Sequence, residues 1–226
     1  MSKMPPLLSP PLAAYRAEYR QQFIKPGYQG WLHFAFTVCM ASSIIAFCAL
    51  QLNAVTRWEW LALPLTFLYC NLSEYFGHRG PMHHLRPGLR MVYERHSKQH
   101  HRFFTEREMA FESSRDFKVV LFPPVLVTYF LLVFGTPVAL VLAWLTTPNV
   151  GYLFALMATA YFLNYELLHF AYHLPPHHVV ARLPGMRVLR RLHTTHHDQA
   201  LMAHHNFNIS YPLMDWIFGT LHSGKK

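Results

Sequence analysis

Formal charge is scarce in this sequence. Asp, Glu, Lys and Arg make up 14% of its 226 residues, against 52% apolar residues. That is about half the charged share of an ordinary soluble domain, and it argues against both a soluble globular protein and a disordered one. Acidic residues number only 11, beside 20 Lys and Arg. The three cysteines, Cys39, Cys48 and Cys70, all lie in apolar stretches. That placement argues against a disulfide scaffold and against a thiolate zinc site. No glycine-rich nucleotide motif is present. The formal net charge of +9 could signal nucleic acid, but its meaning depends on where the charge lies.

The apolar residues are gathered into long runs. Residues 26–56 contain no Asp, Glu, Lys or Arg and centre on HFAFTVCMASSIIAFCALQL, enough for a spanning helix of roughly 20 residues. The run is too long and too far along the chain for a cleaved signal peptide. WLALPLTFLYCNLS reaches spanning length only if continued to His78, with a polar inner end that must face protein. Residues 119–165 are free of formal charge and suit two spans joined by a tight reversal. GTP at 135–137 and TTPN at 146–149 are both breakers; one turns the chain and the other could kink a helix. Four spans is the economical count. Lys and Arg fall in residues 1–25, 79–118 and 174–226, while the other loops hold only Arg57. The positive-inside rule then puts both termini and the 79–118 loop in the cytoplasm, without distinguishing a bacterial inner membrane from the endoplasmic reticulum. Trp58, Trp60 and Trp144 would mark the outer interface and Trp31 the inner one. The basic balance therefore reads as topology and attraction to anionic lipid, not nucleic acid. Residues 1–30 read as a tail with a helix on the inner membrane surface, its face formed by Leu12, Tyr15, Tyr19 and Phe23, or as a frayed proline-rich tail. Residues 31–226 read as a single all-α membrane domain.

What is abundant is histidine: 17 residues, of which 15 lie between His78 and His205. They form four clusters, each near the inner end of a membrane segment. EYFGHRGPMHH carries His78 and His83, about 140° apart on a continuous helix at 3.6 residues per turn. The Gly-Pro between them could turn both to one point. ERHSKQHH carries His96 and His100 at i,i+4 and the adjacent His101; HFAYH carries His169 and His173, again at i,i+4. LHTTHHD carries His193, His196 and His197, of which two or three can share a face. Ten imidazoles could supply two metals with about five ligands each, although imidazole alone does not choose among iron, zinc, copper and nickel.

Other groups have plainer readings. His33 and His222 are expected to be hydrogen-bonded core residues, and His84, His177 and His178 surface or supporting ones. His204 and His205 are open, either one being able to complete a coordination sphere, and Asp198 and Asn206 stand beside the site as further candidates. Glu74 and Glu166 could orient imidazoles by accepting a ring N–H, or could cap helices or pair with arginines. A bis-histidine haem needs about two axial ligands and has no use for tripled clusters. A ferritin-like di-iron site needs four Glu, and only Glu166 has the Glu-x-x-His spacing. A histidine-rich metal-binding or transport protein is a third class, but transporters place ligands near the bilayer midplane.

On EYFGHRGPMHH, HSKQHH, NYELLHFAYH and LRRLHTTHHDQALMAHHNFNISYPLMDWIFGT, the sequence resembles the fatty acid hydroxylase/sterol desaturase superfamily over about residues 70–220. The resemblance implies four membrane helices under a cytoplasmic helical cap holding a di-metal centre. Its ligands would be His78, His83, His96, His100, His101, His169, His173, His193, His196 and His197. It also implies two iron ions (zinc as isolated), O2 as co-substrate, and hydroxylation of a fatty acyl or sterol-like C–H bond, with desaturation as the alternative outcome. The second box, His-x-x-x-His-His, has one residue more than many relatives. The partners implied are a membrane lipid and a separate electron donor, ferredoxin- or cytochrome b5-like, with its reductase, since the chain has no redox segment of its own. Arg102, Arg190 and Arg191 are the expected docking cations for that donor.

Overall fold

The computed structural model describes residues 9–223; the proline-rich start expected as a tail, residues 1–8, lies outside them. Among the described residues no strand forms beyond an isolated bridge between Thr105 and Glu108. The helices are α1 (Pro10–Phe23), α2 (Gly30–Gln51), α3 (Ala62–Gly77), α4 (Arg90–Tyr93), α5 (His101–Phe103), α6 (Phe117–Val120), α7 (Pro124–Phe130), α8 (Thr136–Leu145), α9 (Pro148–Tyr172), α10 (Met186–His196) and α11 (Leu213–Ile217). Three π-helical turns, His78–Met82, Glu94–His100 and Leu131–Gly135, interrupt or extend them.

Helix α9 is the axis of the apolar half, with α2, α3 and α8 packed around it. Gly151 sets the α8–α9 contact: a Cβ there would lie 2.7 Å from the Ala139 carbonyl oxygen. Of the two breakers, TTPN makes the reversal. Thr147 caps α9 by accepting from the Val150 amide, and Pro148 opens the helix where no N–H is needed. The GTP segment instead passes from the end of a π turn, at Gly135, into α8 without a reversal; the 43° bend of this pair of helical stretches lies before it, between Tyr129 and Leu131. At this end of the helices Glu59 ties two loops together, accepting from the Thr56 amide and from the side chains of Thr147 and Asn149. Among the described residues, α2 alone is long and apolar enough to cross a membrane, and the bent pair counts as at most one more. Helix α3 is 16 residues long, and α9 carries Asn164, Glu166 and His169 in its last turns.

At the opposite end, residues 78–121 and 173–223 fold into a cap. Helix α1 belongs to it, and the face expected to meet lipid is turned to protein instead. Tyr19 packs with Phe103, Phe104, Met109, Val119 and Val120, and Leu12 is buried, while Phe23 alone of the four is exposed. Arg16 explains the docking. At 1% exposure it donates to the carbonyls of Phe103 (2.8 Å), Glu108 (2.7 Å) and Ala110 (3.2 Å). Arg20 adds a two-pronged pair to Asp116, which is fully buried. Arg16→Met should strand three carbonyls, at about 1 kcal/mol or more each. Thermal unfolding in detergent should then fall by roughly 6–12 °C, with Arg16→Lys intermediate; an unchanged midpoint would detach α1 from the stability of the cap.

Candidate metal centre

The first cluster does not turn at a break. Residues His78–Met82 continue α3 as a π turn, in which bonding runs from i to i+5 and residues five apart come into register. His78 and His83 thus meet, ring centroids 4.9 Å apart. The second cluster does the same. On the π turn Glu94–His100 it is His96 and His101, also five apart, whose Nε2 atoms lie 3.0 Å from each other. The i,i+4 pair His96/His100 was expected to share a face and is instead divided: their rings stack at 5.4 Å and their nitrogens point to different groups. The extra residue of this box is taken up by the wider turn.

The ten imidazoles separate five and five. Nε2 contacts of 2.8–3.1 Å link His78, His83, His96, His101 and His196. Contacts of 3.1–3.2 Å link His100, His169, His173, His193 and His197. All ten are buried. Helix α9 serves only the second group and the α3 extension only the first, whereas α10 serves both. His193 and His197, at i,i+4, turn to the second group, and His196 between them turns to the first. The groups touch where His101 and His197 stack at 4.3 Å.

Tautomers follow from the outer ring nitrogens. A carbonyl can only accept, so a ring nitrogen facing one must carry the proton. Nδ1–H of His78 donates to the Phe207 carbonyl, of His196 to His205 (2.8 Å), of His197 to Phe104 (2.8 Å), of His173 to Met109 (2.8 Å) and of His100 to Val119 (3.2 Å). His83 donates to Ser97 Oγ, whose own proton goes to the Met82 carbonyl. Their Nε2 atoms are therefore bare lone pairs. In the first group two such lone pairs, on His83 and His196, are 3.1 Å apart; in the second, those on His100 and His197 are 3.2 Å apart. Neither nitrogen of either pair can donate, so they repel unless a cation lies between them. Ligands roughly 2 Å from one ion sit roughly 3 Å from each other, and the observed spacings fit that. They leave no planar slot for a haem, and no carboxylate enters either group.

Burial drives the imidazoles of His96, His101, His193 and His197 well below the ordinary histidine value, with neighbouring imidazoles as the next cause; His196 is pushed down to about 4. They are neutral at physiological pH, as metal binding requires. The unfolded chain takes up protons below about pH 6.5 while the folded one does not. Thermal stability should therefore be level between pH 7 and 8 and fall steeply below about pH 6. A midpoint unchanged down to pH 4 would contradict these buried, neutral imidazoles.

The two carboxylates do not do what one of their two readings held. Glu74 touches no imidazole: it accepts from the Ile209 and Ser210 amides, the Ser210 hydroxyl and the Tyr161 hydroxyl, tying the C-terminal loop to α3 and α9. Glu166 accepts from the Phe122 amide at 3.1 Å, and its other oxygen has no partner. His204 and His84 are exposed; His205 contributes its carbonyl, not its ring, to the site, and Asp198 caps the Ala200 amide. His33 is hydrogen-bonded by Tyr28 and the Phe122 carbonyl, as expected of a core histidine.

Single residues beyond the histidines also build the site. Asn206, at φ 58°, ties the loop to the Leu192 and His222 carbonyls. Asp215, fully buried, accepts from the Phe207 amide (2.9 Å), the Asn208 amide (2.7 Å) and the Thr220 hydroxyl (2.6 Å). The Asn-Phe, Asp and Phe-Gly-Thr elements of the last motif thus aim the Phe207 carbonyl at His78. Beside both groups lies a cavity of about 40 Å³, walled by Met82, Val92, Val119, Leu121 and Leu126 and reaching His96, His100 and His169.

A family model described as fatty acid hydroxylase matches residues 63–220. The chain belongs to the fatty acid hydroxylase family. The match takes in all ten imidazoles, Glu74, Glu166, Asp215 and Thr220, and leaves α1 and α2 outside. Membership makes the chain an oxidoreductase of a membrane-associated, usually metal-dependent family, and both histidine groups could hold a metal ion. Among curated proteins and solved structures none matches the chain significantly.

Proposed function

We propose that this fatty acid hydroxylase family member is a multi-pass membrane enzyme that hydroxylates a lipid C–H bond with O2. Two iron ions would be held by its ten imidazoles. The observation that carries the reading is the pair of bare lone pairs in each group, 3.1 and 3.2 Å apart. His78, His83, His96, His101 and His196 would hold one ion, and His100, His169, His173, His193 and His197 the other. When bound, the ions supply the activation of O2 that attack on an unactivated C–H bond requires.

The chain's own residues do the rest. Backbone carbonyls fix the ring orientation and tautomer of His78, His100, His173, His196 and His197 before any metal arrives, which raises ligand basicity and preorganises the site. The largely apolar walls of the cavity beside His96, His100 and His169 would suit the approach of a hydrocarbon group. Four spans formed by α2, by α3 with its π extension, by α7–α8 and by α9 would set the cavity at the cytoplasmic ends of the helices, level with lipid. Exposed Trp58, Trp60 and Trp144 at one end and Trp31 at the other support that placement.

Electrons would come from a separate ferredoxin- or cytochrome b5-like donor with its reductase. Arg190 spends its guanidinium on the Leu174 carbonyl, so Arg102 and Arg191, which are exposed, are the better docking cations. The test of function is mass spectrometry of lipids from cells with and without the protein, grown under ¹⁸O2. A lipid carrying one ¹⁸O atom in a new hydroxyl is the expected product. A new double bond without label would make the enzyme a desaturase, and unchanged lipids would refute both.

A further inference from the structure

The stretch after α9 carries charge of one sign. From Leu167 to His197 there is no Asp or Glu, while Arg182, Arg187, Arg190 and Arg191 fall close together. Arg190 is committed to the Leu174 carbonyl. Arg182 and Arg187 are exposed, and among the described residues neither has an ion pair. Beside them stand exposed aliphatic side chains: Val179 at 67%, Leu183 at 53% and Val188 at 50%. The inward side of the same stretch is packed. Met186 shares a core cluster with Tyr165, Ala171 and Tyr172 of α9, and Val180 and Leu189 pack against it. That packing holds the stretch to the inner end of α9. None of its outward residues lines the cavity beside the histidines.

Exposed aliphatic groups and unpaired guanidinium groups gain together from one environment, an anionic membrane surface, where headgroups meet acyl chains. The position of the stretch favours that surface over an acidic protein, since it adjoins the helix end that the proposed topology sets at the cytoplasmic leaflet. We propose that residues 179–188 form a shelf for anionic phospholipid. Arg182 and Arg187 take the phosphate, and Val179, Leu183 and Val188 enter the acyl boundary beneath it. The lipid held here is a surface ligand and not the substrate. The shelf runs into α10, which begins at Met186 and carries His193, His196 and His197. It thereby seats at the membrane the helix that serves both histidine groups. The inference rests on α9 crossing the membrane as proposed, and needs neither the metals nor the oxidation.

The test extracts the full chain in detergent from vesicles of equal parts palmitoyl-oleoyl phosphatidylglycerol and the matching phosphatidylcholine. Mass spectrometry of the intact complex then counts the lipids retained, and the shared acyl chains cancel any recognition of the tails. Phosphatidylglycerol is expected to be retained at least about fivefold over phosphatidylcholine, the effect of one arginine at an anionic surface. Arg182→Gln with Arg187→Gln should remove most of that preference. Arg86→Gln with Lys98→Gln, at exposed cations elsewhere on the cap, should leave it. Val179→Ser with Leu183→Ser should lower retention of both lipids and keep their ratio. A ratio near one in the unaltered chain overturns the proposal, a comparison that needs no variant to fold. So does a ratio that survives the first pair of changes or falls equally with the second pair. Slower reduction by an acidic donor in the first pair, with the lipid ratio unchanged, would give these arginines to the donor instead. Retention unaffected by the two serines would overturn the insertion of the aliphatic groups. An arginine-dependent preference with no oxidised lipid supports the shelf and removes the oxidation. Oxidised product with a ratio near one does the reverse.

Discussion

His196→Ala and His197→Ala are each expected to keep about one of two metal ions per chain and to lose turnover by at least about 100-fold. Each should lose an ion from a different group. The two residues are adjacent on α10, yet Nε2 of His196 lies 3.1 Å from His83 in the first group. Nε2 of His197 lies 3.2 Å from His100 and 3.1 Å from His193 in the second. Both are buried, and both have the outer nitrogen committed to a carbonyl. Alanine at either position removes one lone pair and leaves four imidazoles. The expected magnitude is at least that of losing a group that merely orients a ligand. Metal analysis with activity on the purified variants checks this. A variant retaining both ions and full turnover would take its histidine out of the site.

Asp215→Ala is expected to lower the thermal midpoint by roughly 10 °C and to deplete the first metal group before the second. Its carboxylate receives two backbone amides and a hydroxyl in a buried loop, and stranding three donors at about 1–3 kcal/mol each is a large loss. The selectivity has a structural reason. The amide of Phe207 is held by Asp215, and the carbonyl of the same residue orients His78. His196, in the same group, leans on the neighbouring His205 carbonyl. In the second group, His100, His173 and His197 lean on Val119, Met109 and Phe104, which lie elsewhere. Asp215→Asn should fall between. Equal loss of both ions at an unchanged midpoint would show that this loop does not orient the first group.

The ten imidazoles were legible because ligand chemistry leaves its mark on residue type and approximate spacing. Their partition was not. At 3.6 residues per turn the spacing sets His78 and His83 about 140° apart, so that only a break at Gly-Pro would join them, and it puts His96 with His100. Two π turns change that conversion and pair His78 with His83 and His96 with His101. A five-residue spacing occurring in both boxes was the available signal. Glu74 was legible as a site carboxylate only by its closeness to His78 in sequence. Its partners, Ile209 and Ser210, lie 135 and 136 residues away, and nothing local announces them. Arg16 is similar: its neighbours on α1 suggest a lipid-facing helix, while the three carbonyls that bury it come from residues 103–110. Hydropathy gave α2 directly, but the amphipathic face of α1 reads alike whether it meets lipid or protein.

The central claim is that the two groups of five imidazoles are two metal sites, and metal content with X-ray absorption on the purified chain tests it most directly. The account predicts about two ions per chain, iron or zinc, each in a first sphere dominated by imidazole nitrogen at roughly 2 Å. One haem per chain, or less than one tightly held ion, would contradict it.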